Sequence, residues 1–300
     1  MANMKGKSIN ISPEPPKFPY RVIPVSGGRG ARSSSGNLGL QVLQRQEELQ
    51  FIYMPLGRIA IHMLETTVEL TAGEGIFLNK NVPYYIEELG SCFYYCYVFP
   101  EKCLKFYGDG PAGSLVDSYI EDARLPYYVF DGNAAWQEKV LEGLRQLLSL
   151  ESRKGEQYPY EVLVGLTGIW LEMLRHIEIP VPKKRRPAVT RMLLFLQFIE
   201  NHYREEVTLE ALSASAGVSK SECLRCFKQI LQTTPYKYLM DYRLAKAADL
   251  LHNTDRQISE IAVLTGFDQP SYFGKCFRER IGCTPKTYRN RFLAKGKEKL

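Results

Sequence analysis

Two stretches of the chain, fifty positions apart, carry cationic and hydrogen-bonding side chains at helical spacing. The first offers Ser219, Lys220, Ser221, Arg225 and Lys228; the second offers Gln269, Pro270, Ser271, Tyr272, Lys275 and Arg278. Residues three and four apart share one side of a helix. That spacing aligns Ser221, Arg225 and Lys228 in one copy and Ser271, Lys275 and Arg278 in the other. Rows of ammonium and guanidinium groups suit phosphates, and Arg and Gln also carry the donors and acceptors that base edges present. By that pairing Arg225 matches guanine and Gln269 matches adenine. The chemistry is recognition of a polyanion, and no catalytic set is assigned.

Other reactive residue types lead to blander readings. Cys223 and Cys226 have the spacing of a metal or redox pair, but both belong to an apolar repeat and no second pair lies nearby, so they read as small buried hydrophobes. Gly27-Gly28-Arg29-Gly30 is not preceded by a strand in the right form and is not followed by the GKS or GKT that a phosphate loop requires, so it reads as a loop. His62 is the only one of the four His in the strand-rich region, which leaves no metal site to be built by that route. No metal and no cofactor is expected.

The elements that must position the two cationic rows are legible as a duplication. VTLEALSASAGVSKSECLRCFKQILQTTPYKYL is answered by QISEIAVLTGFDQPSYFGKCFRERIGCTPKTYR. Leu209, Leu212 and Gly217 recur as Ile258, Ile261 and Gly266, and Cys226-Phe227 recurs as Cys276-Phe277. In the first copy Thr208 is expected to cap a short helix, Gly217 to make the turn, and Ser219 with Glu222 to form a capping box that opens a helix over 220–231. In the second, Gly266 turns, Asp268 caps, and Pro270 is tolerated in the first turn. Helix, glycine turn and second helix with a basic outer face describe a helix-turn-helix.

The rest of the chain divides by texture. Residues 1–36, rich in Pro, Gly, Ser and Arg, read as a flexible arm. From Leu38 to Pro100 short runs (FIYM, RIAIHML, TTVEL, GIFLN, CFYYCYVF) are closed by turn signals, as in an antiparallel barrel or sandwich. Within it LTAGEGIFLNKNVPYYIEELG resembles the cupin pattern, with Tyr84 where a metal-binding cupin often has His. Phe51, Tyr53, His62, Tyr84, Tyr95 and Tyr97 are the candidate lining of a small-molecule pocket, and filling a barrel core is the alternative role for such rings. Two amphipathic helices follow, with Trp136, Val140, Leu144, Leu147 and Leu148 on one stripe and Leu163, Leu166, Trp170, Met173, Leu174 and Ile177 on the other. They are candidates for dimer contact. The expected units are an effector-binding and dimerisation domain at 37–179, a Pro- and Lys/Arg-rich linker at 180–188, and a DNA-binding domain at 189–300. The fold class is α+β multidomain.

Charge follows that division. From Pro180 to Leu300 there are 22 Lys and Arg against 12 Asp and Glu; from Met1 to Ile179 there are 17 against 21. A polyanion partner therefore belongs to the C-terminal part. No run of about 18 apolar residues is present, the N-terminus lacks the apolar stretch of a secretory signal, and the seven Cys are odd in number. Together these suit a reducing cytoplasm without membrane insertion.

RLAKAADLL followed by ISEIAVLTGFDQPSYFGKCFRERIGCTPKTYR resembles the C-terminal domain of the AraC/XylS family of bacterial transcription regulators. The resemblance covers 189–300 with both repeats in order. Cys223, Cys226 and Cys276 stand where that family usually has Leu or Val, and Gly274 where a larger residue is frequent. It implies two helix-turn-helix units joined by one helix, reading successive major-groove segments about 34 Å apart, behind a cupin-like domain that binds an effector such as a sugar. Implied partners are double-stranded promoter DNA, the effector, RNA polymerase and a second copy in a homodimer, with activation the expected outcome. A DNA-repair alkyltransferase with a similar DNA-binding domain would need more than Cys92, Cys96 and Cys103 for its zinc site. A metal-free cupin enzyme would leave the duplication unexplained.

Overall fold

The computed structural model describes residues 18–27, 40–106, 110–121, 125–178 and 186–296, with side chains through residue 290. The N-terminal part is built from antiparallel strands: β1 (Arg21–Gly27), β2 (Leu49–Leu56), β3 (Arg58–Met63), β4 (Thr67–Thr71), β5 (Gly75–Leu78), β6 (Tyr84–Glu88), β7 (Cys92–Phe99) and β8 (Tyr127–Phe130). One sheet has the order β1-β7-β2-β5-β8, the other β4-β3-β6. This is the antiparallel β-domain expected from the strand-like runs. Most of the expected arm lies outside the described residues, but Arg21–Gly27 is a strand paired along its whole length with β7. Pro24 hid it. At the sheet edge a missing N–H costs no ladder bond, so proline is tolerated there, and Val25 beyond it is buried.

Alternation along the strands makes two separate cores. Ile52, Met54, Ile76, Cys92 and Tyr94 turn toward the three-stranded sheet and meet Ile59, Ile61, Leu70 and Ile86. Leu49, Phe51, Tyr53, Phe77, Tyr97 and Phe99 turn the other way and pack against helices. Those helices are α1 (Pro111–Ile120), α2 (Ala135–Leu150) and α3 (Tyr158–His176). The α2 stripe is the expected one, with Trp136 and Leu148 partly buried; α3 buries Val162 and Ile169 beside Leu166, Trp170 and Met173. Tyr97 Oη donates to the Leu144 carbonyl at 2.9 Å, locking the sheet to α2.

The C-terminal part is all helical: α4 (Pro187–His202), α5 (Leu209–Ser215), α6 (Lys220–Leu231), α7 (Pro235–Asn253), α8 (Ile258–Leu264), α9 (Pro270–Ile281) and α10 (Pro285–Gly296). The expected linker lies outside the described residues except for 186–188, where α4 already begins. Its core gathers Phe195, Ile199, Leu212, Phe227, Tyr238, Ile261, Phe273 and Phe277 around the long α7. Leu40, Val42 and Leu43, which the expected boundaries give to the β-domain, are buried in this same cluster. Tyr238 Oη donates to the Leu43 carbonyl at 3.2 Å, and Arg45 Nε donates to Glu200 of α4 at 2.9 Å. The neighbouring Gln44 exchanges backbone hydrogen bonds with Tyr84 at 2.9 and 3.1 Å, so one short segment is held by both halves.

Candidate nucleic-acid interface

The two units repeat their local chemistry. Thr208 Oγ1 accepts from Ala211 N at 3.1 Å to open α5, and Ser219 Oγ accepts from Glu222 N at 3.2 Å to open α6. Thr234 and Thr284 do the same for α7 and α10, accepting from Lys237 N and Thr287 N. Gly217 and Gly266 sit in the left-handed region at φ 62° and 84°, where glycine carries no side-chain penalty.

Two local expectations change. The capping box is only half made. Glu222 does not reach back to its cap but joins Arg191 of α4 (Oε1 to Nη1, 2.6 Å) and Arg225 of its own helix. Two charge-assisted contacts outweigh one neutral backbone N–H. Asp268 does not cap α9 either. Pro270 fixes the first helical position, so the cap falls on Gln269, whose side chain makes no capping bond and stays available.

All eleven residues singled out for DNA are exposed: Ser219, Lys220, Ser221, Arg225, Lys228, Gln269, Pro270, Ser271, Tyr272, Lys275 and Arg278. Behind them Cys223, Cys226 and Phe227 bury one face of α6, and Phe273 and Phe277 bury one face of α9. Hence the cationic rows share a side of each helix and point away from the core. Lys220 pairs with Glu210 and Arg225 with Glu222, both at the surface. On α9 the third cation, Arg280, is exposed but reaches back to buried Asp241 of α7, with Nε 2.7 Å from Oδ1. That pair fixes α9 against the joining helix and leaves Lys275 and Arg278 for contact. Sequence reasoning missed Leu224, 43% exposed on the outward side of α6. Its counterpart Gly274 was the available signal, since a core position does not alternate between Leu and Gly.

The thiols behave as core atoms. Burial pushes Cys223 up to about 11 and raises Cys226, so both keep their protons near neutral pH. Cys92 and Cys96, pushed up to about 11 and about 12 by burial, lie between the sheets, whereas Cys103 is in the core on the helix side of the larger sheet. The three do not converge.

The six effector candidates also divide. Phe51, Tyr53 and Tyr97 are in the sheet–helix core, and Tyr95 packs at its edge. They hold α2 and α3 rather than line the space between the sheets, because that space takes the opposite strand parity. His62 is on the outer face of β3, stacked on Tyr85 at 4.5 Å, with Nε2 2.8 Å from Glu87. Of the six only Tyr84 faces inward, where its hydroxyl donates to Gln50 and burial raises its pKa. Tyr94 and Cys96 share that interior.

A helix-turn-helix domain family matches residues 212–291, which run from α5 through both glycine turns and include α6 and α9. Over 251 residues the chain is 29% identical to the HTH-type transcriptional regulator YdeC of Bacillus subtilis (strain 168), covering 82% of this chain and 85% of that one. Its C-terminal part is a helix-turn-helix domain of the AraC type, and its relatives are HTH-type transcriptional regulators. The chain is also 28% identical to the HTH-type transcriptional activator RhaS of Salmonella schwarzengrund (strain CVM19633) over 155 residues, 51% of this chain and 55% of that one. In fold it is similar to apo ToxT from Vibrio cholerae strain SCE256, with a TM-score of 0.51 at 11% identity over 91% of this chain and 97% of that one. The similarity extends the two-part architecture, β-domain then tandem helix-turn-helix, to nearly the whole length. Among the described residues no helix is long and apolar enough to cross a membrane.

Proposed function

We propose that the regulator reads two adjacent major-groove segments with α6 and α9 and that a small effector between the β-sheets controls it. The observation that carries the DNA reading is the pair of outward faces with repeated backs and different fronts. Leu224, Arg225 and Lys228 face Gly274, Lys275 and Arg278 across the repeat, and Glu222 faces Tyr272. Different fronts on equivalent helices read different bases. Arg225 and Gln269 are assigned to base edges, Lys228, Lys275 and Arg278 mainly to phosphates, and Leu224 fits a thymine methyl. Sensing is assigned to 37–179 and reading to 189–300. The effector site is assigned to the apolar interior between the sheets at Tyr84, where Gln50, Tyr94 and Cys96 add amide, hydroxyl and thiol groups.

Activation through RNA polymerase and a homodimer joined through α2 and α3 in the cytoplasm complete the reading; RhaS, which is similar to this chain over 155 residues, is named an activator. The test is a binding titration on duplexes selected from a random library by the full chain. Arg225→Ala is expected to weaken specific binding by about 1–3 kcal/mol and to relax one base position. Affinity is expected to fall steeply with salt as counterions are released. A flat salt dependence with unchanged specificity would remove the DNA assignment. For the sensor, compounds that bind the folded chain raise its melting temperature, and Tyr84→Phe should diminish that rise.

A further inference from the structure

Glu222 and Tyr272 occupy the same place in the repeat, the third residue of each reading helix. Each is held by the long helix that precedes its own unit. Glu222 joins Arg191 of α4 at 2.6 Å and passes its other oxygen to Arg225. Tyr272 Oη lies 3.4 Å from Tyr236 Oη at the start of α7. These are different chemistries, an ion pair and a neutral hydrogen bond, in the same architectural role. The Tyr pair stabilises no core, with Tyr236 65% exposed and Tyr272 46% exposed, whereas the Arg191–Glu222 pair is partly buried. An exposed hydroxyl pair contributes little to folding, yet it restricts the rotamer of a side chain that faces the groove.

We propose that Arg191 and Tyr236 are positioning residues for base reading: Arg191 through Glu222 sets Arg225, and Tyr236 sets Tyr272. Specificity in each head then depends on a residue outside its reading helix. A long side chain held beforehand in its bound rotamer loses less freedom on binding, a difference of about two- to tenfold in affinity per side chain. The Arg191 tether also divides the Glu222 carboxylate between two guanidiniums. Without Arg191, Glu222 holds Arg225 alone and competes with the base for it.

This inference rests on the reading that α6 and α9 contact bases, and the experiment separates the two. The full chain and its variants are titrated on the selected duplex and on single-base variants of it, with thermal melts alongside. Tyr236→Phe, which removes only the hydroxyl, is expected to lower discrimination about two- to tenfold at the bases that Tyr272→Phe affects. Positions under α6 should not change. The double variant Tyr236→Phe/Tyr272→Phe should be no worse than Tyr272→Phe alone, because coupled residues are non-additive. Arg191→Ala should relax the Arg225 position, and Arg191→Lys should restore part of it. Additive losses, or equal weakening on every sequence, would make Tyr236 an independent phosphate contact and overturn the proposal. A lowered melting temperature with discrimination intact would make the tethers purely structural and overturn it too. If Arg225→Ala and Tyr272→Phe themselves leave every base preference intact, base reading by these helices falls and the tethers fall with it.

Discussion

Asp249 on α7 shows how a single buried group sets a property of the helical domain. Burial is the larger influence on its carboxyl and pushes it up to about 6, with Lys246 pulling the other way. The unfolded chain takes up that proton only near pH 4. Between those values the native state binds more protons than the unfolded one, so stability rises as pH falls from 7 toward 4. Well above pH 6 the charge is fully present in its desolvated site. Asp249→Asn is therefore expected to stabilise the domain at pH 7.5 by about 1–3 kcal/mol and by much less at pH 4.5, as measured by denaturant melts. An equal gain at both values would assign the effect to packing instead. The outward residues of α6 and α9 were legible in the sequence because a repeat whose backs match exposes its fronts. Their tethers were not: Arg191 is 31 positions from Glu222 and Tyr236 is 36 from Tyr272, and no local pattern reports contacts at that range.

The two turns of the duplication share a sequence sign and a backbone conformation but differ in surroundings. A Cβ on Gly217 would meet nothing within 4 Å. On Gly266 it would stand 2.6 Å from the Tyr203 carbonyl and 2.9 Å from Arg243 Nε. Arg243 donates there to the Tyr203 and Glu205 carbonyls, both at 2.7 Å, so α7 closes the end of α4 over the second turn. Gly217→Ala should cost about 1 kcal/mol from its positive φ alone, and Gly266→Ala about 2–4 kcal/mol because a backbone oxygen must move as well. Denaturant midpoints of the two variants check the order, and equal losses would mean the second turn relaxes freely. The glycines identified both turns from sequence; which one lies under another helix is tertiary information. The same limit applies to β7, where CFYYCYVF places aromatic rings on both faces. Alternation separates Tyr94 from Tyr95 and Tyr97, but only the packed helices reveal which set faces them. Pro24 likewise masked β1, since proline is excluded from central strands and permitted at an edge.

At the scale of the whole molecule, domain boundaries drawn from composition miss the segment that joins the halves. Leu40, Val42 and Leu43 precede the second strand, yet they complete the core beneath α4 and α7. Gln44 meanwhile adds a bridge to β6 and Arg45 an ion pair to α4. Arg186 Nε reaches Glu65 at 2.9 Å beside it, a second and more exposed link. Composition gives this stretch to the β-domain because chain order does, whereas burial gives it to the helices. Leu43→Ala removes a side chain that is 4% exposed and should cost about 2–4 kcal/mol. That loss should appear in the DNA-binding half. By hydrogen exchange on the full chain, amides of α4 and α7 should open faster while those of β1 and β7 keep their protection. Arg45→Ala, at a partly buried ion pair, should produce a smaller change in the same helices. Faster exchange confined to the strands would place 40–45 in the β-domain's own stability. Faster exchange in α4 and α7 would show that the reading heads are completed by residues that also hydrogen-bond to β6. A ligand shifting Tyr84 between the sheets would then act on the same backbone that Gln44 shares with it.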